Sequence, residues 1–428
     1  MSIKISYIYS ACIIIETEDC KILCDPWFTE GIYDGSWFHF PKVNDPLDLI
    51  GEVDFIYISH IHPDHYDPDF IKEYFNKFGE HKILISDHKP NYLFNKMKGD
   101  GLIPTIIDEK KGVVIGNSSI NILTHKTGSI HDVDSAISVK YKNHQKEHVV
   151  LNVNDIIMDA KFINKLRSLF PSIDILLCSY TGAGPYPQTY FSLDDKVLIE
   201  EIKKKKESFF DRYKKLTNSL NTKVNIPFAG KYVLGGKLTD LNDYRGVADA
   251  VEVLDFDKKA IVLDDGENSF IDTQKLKPSK FRTKKYSRKE IIKRCDEIRN
   301  KKMDYERLIN KDEVDRLPLR RLLFKSYNNA IKKSELNKDY YFVFDLDSHI
   351  CILNGNKDNE DINIIDKKYV REMPAPRSEI IIDKRYLFGL MTLVYHWNNA
   401  EVGSQYMVRR IPQEYNPAAQ NFLNFFTI

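Results

Sequence analysis

The chain has no apolar run approaching the ~20 residues that a membrane-spanning helix requires, so no membrane partner is expected. It also has almost no net charge. A formal balance of +1 over 428 residues, with 63 Lys+Arg against 62 Asp+Glu, removes the electrostatic case for nucleic acid or an anionic membrane surface. The longest cationic run, Lys203 to Lys206, lies between Glu200-Glu201 and Glu207 and reads as one solvated helix face. Cysteine is scarce, six in all. Cys20 and Cys24 are close, but no second cysteine or histidine pair at zinc-finger spacing completes a structural zinc site with them. The N-terminus, Met1 to Tyr9, alternates polar and apolar like an edge strand. It lacks the continuous apolar region and small-residue cleavage site of a signal peptide. A cytoplasmic protein with reduced thiols is the expectation.

What remains is a globular composition, 42% hydrophobic and 12% aromatic. The length implies two domains, placed at residues 1–265 and 266–428. Segments 3–9, 12–16 and 21–24 read as short strands. Asp25-Pro26 then opens a long aromatic loop, Trp27 to Pro41, with Tyr33, Trp37, Phe38, His39 and Phe40. This loop is either a hydrophobic flap or a substrate wall, with Trp37 and His39 as candidate substrate contacts.

The apolar run Phe55 to Ile58 reads as a buried strand that stops at Ser59. His60, His62, Asp64 and His65 follow directly. Neutral imidazole and carboxylate suit zinc, iron and related metals, and Pro63 stiffens the turn that carries them. In an extended loop His60 and His62 point the same way, with Asp64 and His65 turned to a neighbouring site, the arrangement needed for two adjacent divalent ions. Helix is expected over Pro68 to Phe78 and strand over Lys82 to Ser86, with His88 a surface loop residue. Further strands are expected over 104–107, 112–115, 119–124, 137–141 and 149–153.

The pattern His-x-His-x-Asp-His resembles the signature of the metallo-β-lactamase superfamily. That resemblance implies an α/β fold, an αββα sandwich with a one- or two-metal site at the sheet edges. It implies His125 or His131 as a further metal ligand, His125 being preferred for its strand-end position. It also implies Asp155 as a carboxylate bridging two ions; the alternative is a cap for the helix starting near Asp159. Most two-metal members carry a final histidine where this chain has Phe228, Ala229 and Gly230.

Two loops, Ser179 to Pro187 and Pro227 to Tyr232, resemble those of the catalytic part of CMP-N-acetylneuraminate hydroxylase, over roughly residues 5 to 265. That family adds one oxygen atom to the N-acetyl group of a nucleotide-activated sialic acid. The resemblance places Tyr180 with Asp64 and Asp155 as catalytic candidates, and Tyr186 and Lys231 as substrate contacts. The family's Rieske-type domain needs Cys-x-His and Cys-x-x-His pairs. Neither occurs in this sequence, so a separate reductase or ferredoxin is implied as partner.

Beyond Asp255 the character changes. Lys275 to Lys302 is strongly charged, and Pro318 to Lys333 reads as an amphipathic helix. Segments 340–346, 349–353, 362–365 and 380–382 read as strands and 386–395 as a helix. This smaller α+β half resembles the lipid-carrier type domain appended to some metallo-β-lactamase-like proteins. The polar segment His396-Trp397-Asn398-Asn399-Ala400-Glu401 at a helix end, with His396 and Asn399 as candidate substrate contacts, either reaches the metal site or a polar ligand, or caps the helix and seals the domain interface. Three functions follow: a di-iron oxygenase acting on an amino sugar or nucleotide sugar, a zinc hydrolase of an amide, lactone or phosphodiester, or a non-catalytic metal-binding scaffold.

Overall fold

Runs such as Lys4–Tyr9, Cys12–Glu16 and Lys21–Cys24 are rich in isoleucine, whose branched side chain fits a pleated, packed surface. They pair antiparallel in sequence order. In the computed structural model, which describes residues 2–128, 132–266, 269–336, 339–355, 362–370 and 372–428, these strands continue into a parallel set. Phe55–Tyr57, Lys82–Ile85 and Pro104–Ile106 are joined by the helices Pro68–Phe78 and Tyr92–Gly99. A second sheet runs in the order Thr222–Phe228, Ile173–Ser179, Glu147–Asn152, Ser135–Lys142, Ser118–Thr124 and Val113–Ile115.

The two sheets face each other across Ile5, Ile13, Ile15 and Ile22 from the first, and Ile120, Ile137, Val150 and Ile175 from the second. Each such side chain, fully buried, contributes about 1.5–3 kcal/mol. Phe70, Ile71 and Tyr74 pack a helix on the outer face of the first sheet. Phe162, Leu166, Tyr213 and Leu216 pack two helices, Ala160–Leu169 and Lys196–Ser219, on the outer face of the second. The layers are therefore αββα, as the histidine motif implied.

The sandwich runs past residue 265. Ser269–Asp272 forms its edge, antiparallel to Lys4–Tyr9, and Arg282 and Tyr286 tie back to Asp249 and Asp265 at 2.7 and 2.8 Å. The C-terminal half adds a sheet in the order Asn363–Asp366, His349–Asn354, Tyr341–Leu346, Arg377–Ile381 and Met407–Ile411, packed with several helices. Tyr341–Leu346 and Arg377–Ile381 run parallel, and the other pairs of this sheet are antiparallel.

The aromatic loop is the joint between the halves. Trp27, Tyr33 and Trp37 share one core with Tyr305, Tyr386 and Trp397. Ser36 donates to the Gly403 carbonyl at 2.6 Å, Gln405 to the Tyr33 carbonyl at 2.8 Å, and Tyr386 to Asp34 at 2.6 Å. Tyr33 and Asp34 are both left-handed, with φ of 53° and 64°. That costs energy for residues with a Cβ, so the conformation depends on these contacts.

Burial, opposed by the Tyr386 hydrogen bond and reinforced by Asp304, pushes the Asp34 carboxyl up to about 7. The folded protein therefore holds a proton that the unfolded chain, with an aspartate near ~3.9, has already released. The stability this group contributes falls as pH rises through that window and is lost above about 7. Asp34→Asn is accordingly expected to gain on the parent in melting temperature between about pH 5 and about pH 8. An equal offset at both pH values would contradict the assignment.

Candidate metal centre

The centre is built at the ends of the strands Lys21–Cys24 and Phe55–Tyr57. Asp25, at φ 44°, turns its carboxylate under the histidine loop. It accepts from the Ser59 amide at 2.7 Å, from the Ser59 hydroxyl at 2.7 Å, and lies 3.0 Å from His65 Nδ1. This network holds the His65 Nδ1 proton on Asp25 and turns Nε2 toward the carboxylates of the centre. Nε2 then lies 3.4 Å from Asp155 and 3.6 Å from Asp64. With its own proton given to Asp25, the Ser59 hydroxyl oxygen accepts from His60 Nδ1 at 2.9 Å, which frees His60 Nε2. That atom lies 2.8 Å from His62 Nδ1.

His60, His65 and Asp155 each offer a ligand atom, all within 4.8 Å of one another. Burial, helped by His65, His62 and His88, holds the His60 ring well below the usual histidine range, so it is neutral. Burial also lowers His62, against the pull of Asp64. At His65 burial acts downward, but Asp64, Asp25 and Asp155 override it and hold the ring well above the usual range. Burial would raise Asp155, yet His65 and His62 keep it below the usual carboxylate range. Neutral His60 and His62, ionised carboxylates, and a His65 that would exchange its Nε2 proton for a metal form a donor set that fits one or two divalent cations. His60, His62, Asp64, His65 and Asp155 are the residues that would hold them.

Four further residues take part. The sequence reading missed three of them; the other, Asn398, lies in the polar segment read as able to reach the metal site. Asp134 lies 3.6 Å from His60 Nδ1, and burial followed by Asp155 pushes it up to about 7. Tyr33 donates to Asp64 Oδ1 at 2.5 Å, so one oxygen of that carboxylate is already engaged. The Asn398 side chain hydrogen-bonds His62 from the C-terminal half. Asp25 is the fourth. Of the three missed, only Asp25 left a local signal, an aspartate at a strand end before proline.

Other expected residues fall elsewhere. His125 stacks on Phe162 at 4.9 Å, with Nε2 3.6 Å from Asp159, because the helix Ala160–Leu169 presents that ring to the strand end; it is not grouped with His60 and His65. His131 lies outside the described residues. Tyr180 is buried beside Asp249, Asp265 and Arg282, its hydroxyl without a partner among the described residues. Lys231 is paired with Asp265 in that same buried group, not with the histidines. Trp37 stacks flat on Tyr232 at 3.4 Å. His39 lies against Trp27 at 4.6 Å, where burial brings it down to about 3. Both are 1–2% exposed and belong to the packed joint. Tyr186 is half-exposed and donates to Glu201 at 2.5 Å. His396 caps the helix Trp397–Val402, which contains Asn399. Ala229, where a final histidine is absent, is left-handed and donates to the Ser10 carbonyl at 3.1 Å.

Residues 4–179 match the family model described as Beta-lactamase superfamily domain. A Mycolicibacterium smegmatis protein named for a Rieske 2Fe-2S iron-sulfur protein is 30% identical over 54% of this chain and 45% of its own length. The cytidine monophosphate-N-acetylneuraminic acid hydroxylase of Danio rerio is 25% identical over 54% of this chain and 38% of its own length. The chain thus spans less than half the length of these relatives. CmlA, a diiron beta-hydroxylase from Streptomyces venezuelae, superposes with a TM-score of 0.41 at 13% identity over 63% of this chain and 54% of that chain, too loosely to carry an argument. Among the described residues no helix is long and apolar enough to cross a membrane.

His62→Ala is expected to lose most bound metal, and His125→Ala to keep it, when both are assayed by elemental analysis after equal loading. Metal loss in His125→Ala would contradict this placement. Tyr33→Phe should weaken metal binding roughly 10–100-fold, the cost of losing a partner behind a ligand. Unchanged affinity in a chelator competition would remove Tyr33 from the centre.

Proposed function

We propose that this chain, whose residues 4–179 are a beta-lactamase superfamily domain, is a metal-dependent oxygenase with a dinuclear iron centre. Its substrate would be an amino sugar or nucleotide sugar. The observation that carries the reading is the convergence of His60, His65 and Asp155 within 4.8 Å, with His62 and Asp64 beside them. Similarity to the sialic acid hydroxylases over 54% of the chain supports the redox chemistry and the substrate class.

Bound iron would supply the oxygen-activating redox chemistry; the protein supplies the rest. Asp25 holds the His65 proton at Nδ1, and Tyr33 keeps its proton on Asp64 Oδ1. The inner face of the centre is closed to water, with His60 and His65 0% and 1% exposed. The outer face is open, with Asp155 40% and Asp134 28% exposed, and substrate would enter there. Hydroxylation places one atom of dioxygen in the substrate and the other in water. The electrons would come from a separate reductase or ferredoxin in the cytoplasm.

A zinc hydrolase is the second reading, favoured by the beta-lactamase superfamily match itself. The same donor set suits zinc, which lowers the pKa of bound water to about 7. Protein purified anaerobically from iron- and zinc-replete cells is expected to contain iron, and to show an oxygen-sensitive visible or Mössbauer signal. Zinc alone, with a site indifferent to oxygen, would overturn the oxygenase and direct the search to turnover of phosphodiester, lactone and amide substrates.

A further inference from the structure

Beside the metal centre, the turn after Glu147–Asn152 and the helix Lys196–Ser219 enclose a cavity of about 380 Å³. That is the size of a small-molecule pocket. Asp155 lines it, and the Asp155 carboxylate is 40% exposed although it lies 3.4 Å from His65. The cavity therefore meets the outer face of the centre. Its wall is apolar, formed by Ile156, Met158 and Leu216. Ile157 also lines it and is 69% exposed, a large apolar side chain left in water beside the metal centre.

Arg212 and Lys215 line the same cavity. Three positions apart, they are neighbours on one helix face. Among the described residues neither forms an ion pair, and the Arg212 guanidinium rests over the Phe209 ring at 5.0 Å. Three other cations on this helix are matched: Lys204 to Glu201 at 2.6 Å, Lys206 to Glu252 at 2.8 Å, and Lys214 to Asp211 at 3.4 Å. Lys196 and Lys203 also lack an ion pair among the described residues, but of the helix's cations only Arg212 and Lys215 line this cavity. Phe209 and Arg212 also line a neighbouring groove that contains Tyr186.

We propose that this cavity is the substrate pocket and that it takes an organic anion, a carboxylate or phosphate ester with an apolar or aromatic body. The body lies against Ile156, Met158 and the Phe209 ring. The anionic group meets Arg212, whose planar fork matches carboxylate and phosphate oxygens, with Lys215 adding charge. The reacting end then faces Asp155, a statement that rests on the metal-centre reading above. Within that reading, a phosphorylated or carboxylated sugar gains contacts with both cations, and a neutral amino sugar gains neither.

The test is ligand-observed NMR titration of the metal-free protein with phenylacetate, phenyl phosphate and the neutral phenylacetamide. At least one anion is expected to bind roughly tenfold or more tightly than the amide. The preferred anion identifies the head group as carboxylate or phosphate. Arg212→Gln with Lys215→Gln should abolish that preference and leave amide binding unchanged. Both residues are exposed, and an unchanged melting temperature verifies the fold of the variant. Anions binding no better than the amide, or keeping their preference in the double variant, would overturn the proposal. Because no metal is present, that failure is separate from any failure of the metal-centre reading.

Discussion

Asp25 is fully buried, and a buried carboxylate persists only where its charge is met by hydrogen bonds. Here the Ser59 amide, the Ser59 hydroxyl and His65 meet it. Each of these contacts has a consequence at the surface of the centre. The amide contact fixes where the strand Phe55–Tyr57 ends. The hydroxyl contact sets which nitrogen of His60 is free, and the imidazole contact does the same for His65. Asp67 repeats the device one turn later, capping the helix Pro68–Phe78 while accepting from the Phe28 and Thr29 amides at 2.9 and 2.7 Å. Two carboxylates thus lock the histidine loop to the aromatic loop.

That coupling brings the C-terminal half into the chemistry. Tyr33 reaches Asp64 only because Gln405 and Gly403 hold its backbone in a left-handed turn; Gly403 approaches so closely that a Cβ there would lie 3.0 Å from the Tyr33 carbonyl oxygen. Asn398 reaches His62 from the same side. The sandwich supplies the metal ligands, and the C-terminal half supplies partners behind two of them. On the opposite side Asp155 looks out toward the cavity beside the helix Lys196–Ser219.

The sandwich was legible because its strands are isoleucine-rich and its motif is compact. Five donors lie in two short segments, 60–65 and 155, each directly after a strand. What was illegible came from long-range packing. Asp134 sits in a polar stretch that says nothing locally about where it points, and the polar segment with Asn398 was open to the metal site without any local feature marking Asn398 as the side chain that reaches it. Tyr33 looked like one aromatic among several, and only its left-handed turn against Gly403 directs it at Asp64. His125 has the right strand-end position, but Phe162 claims its ring. Trp37 and His39 were read as a possible substrate wall, yet their partners, Tyr232 and Arg294, lie far along the chain. Residue 265 looked like a boundary from composition, whereas edge pairing of Ser269–Asp272 with Lys4–Tyr9 is a matter of register that composition does not encode.

A cation seated among His60, His65 and Asp155 is what the oxygenase and hydrolase readings both require. Anomalous diffraction collected at the iron and zinc edges on crystals of metal-loaded protein locates it directly. A peak bounded by His60, His65 and Asp155 is expected, with His65 Nδ1 still on Asp25. A peak instead in the groove between His125 and Asp159, with none at the histidine loop, would contradict both readings.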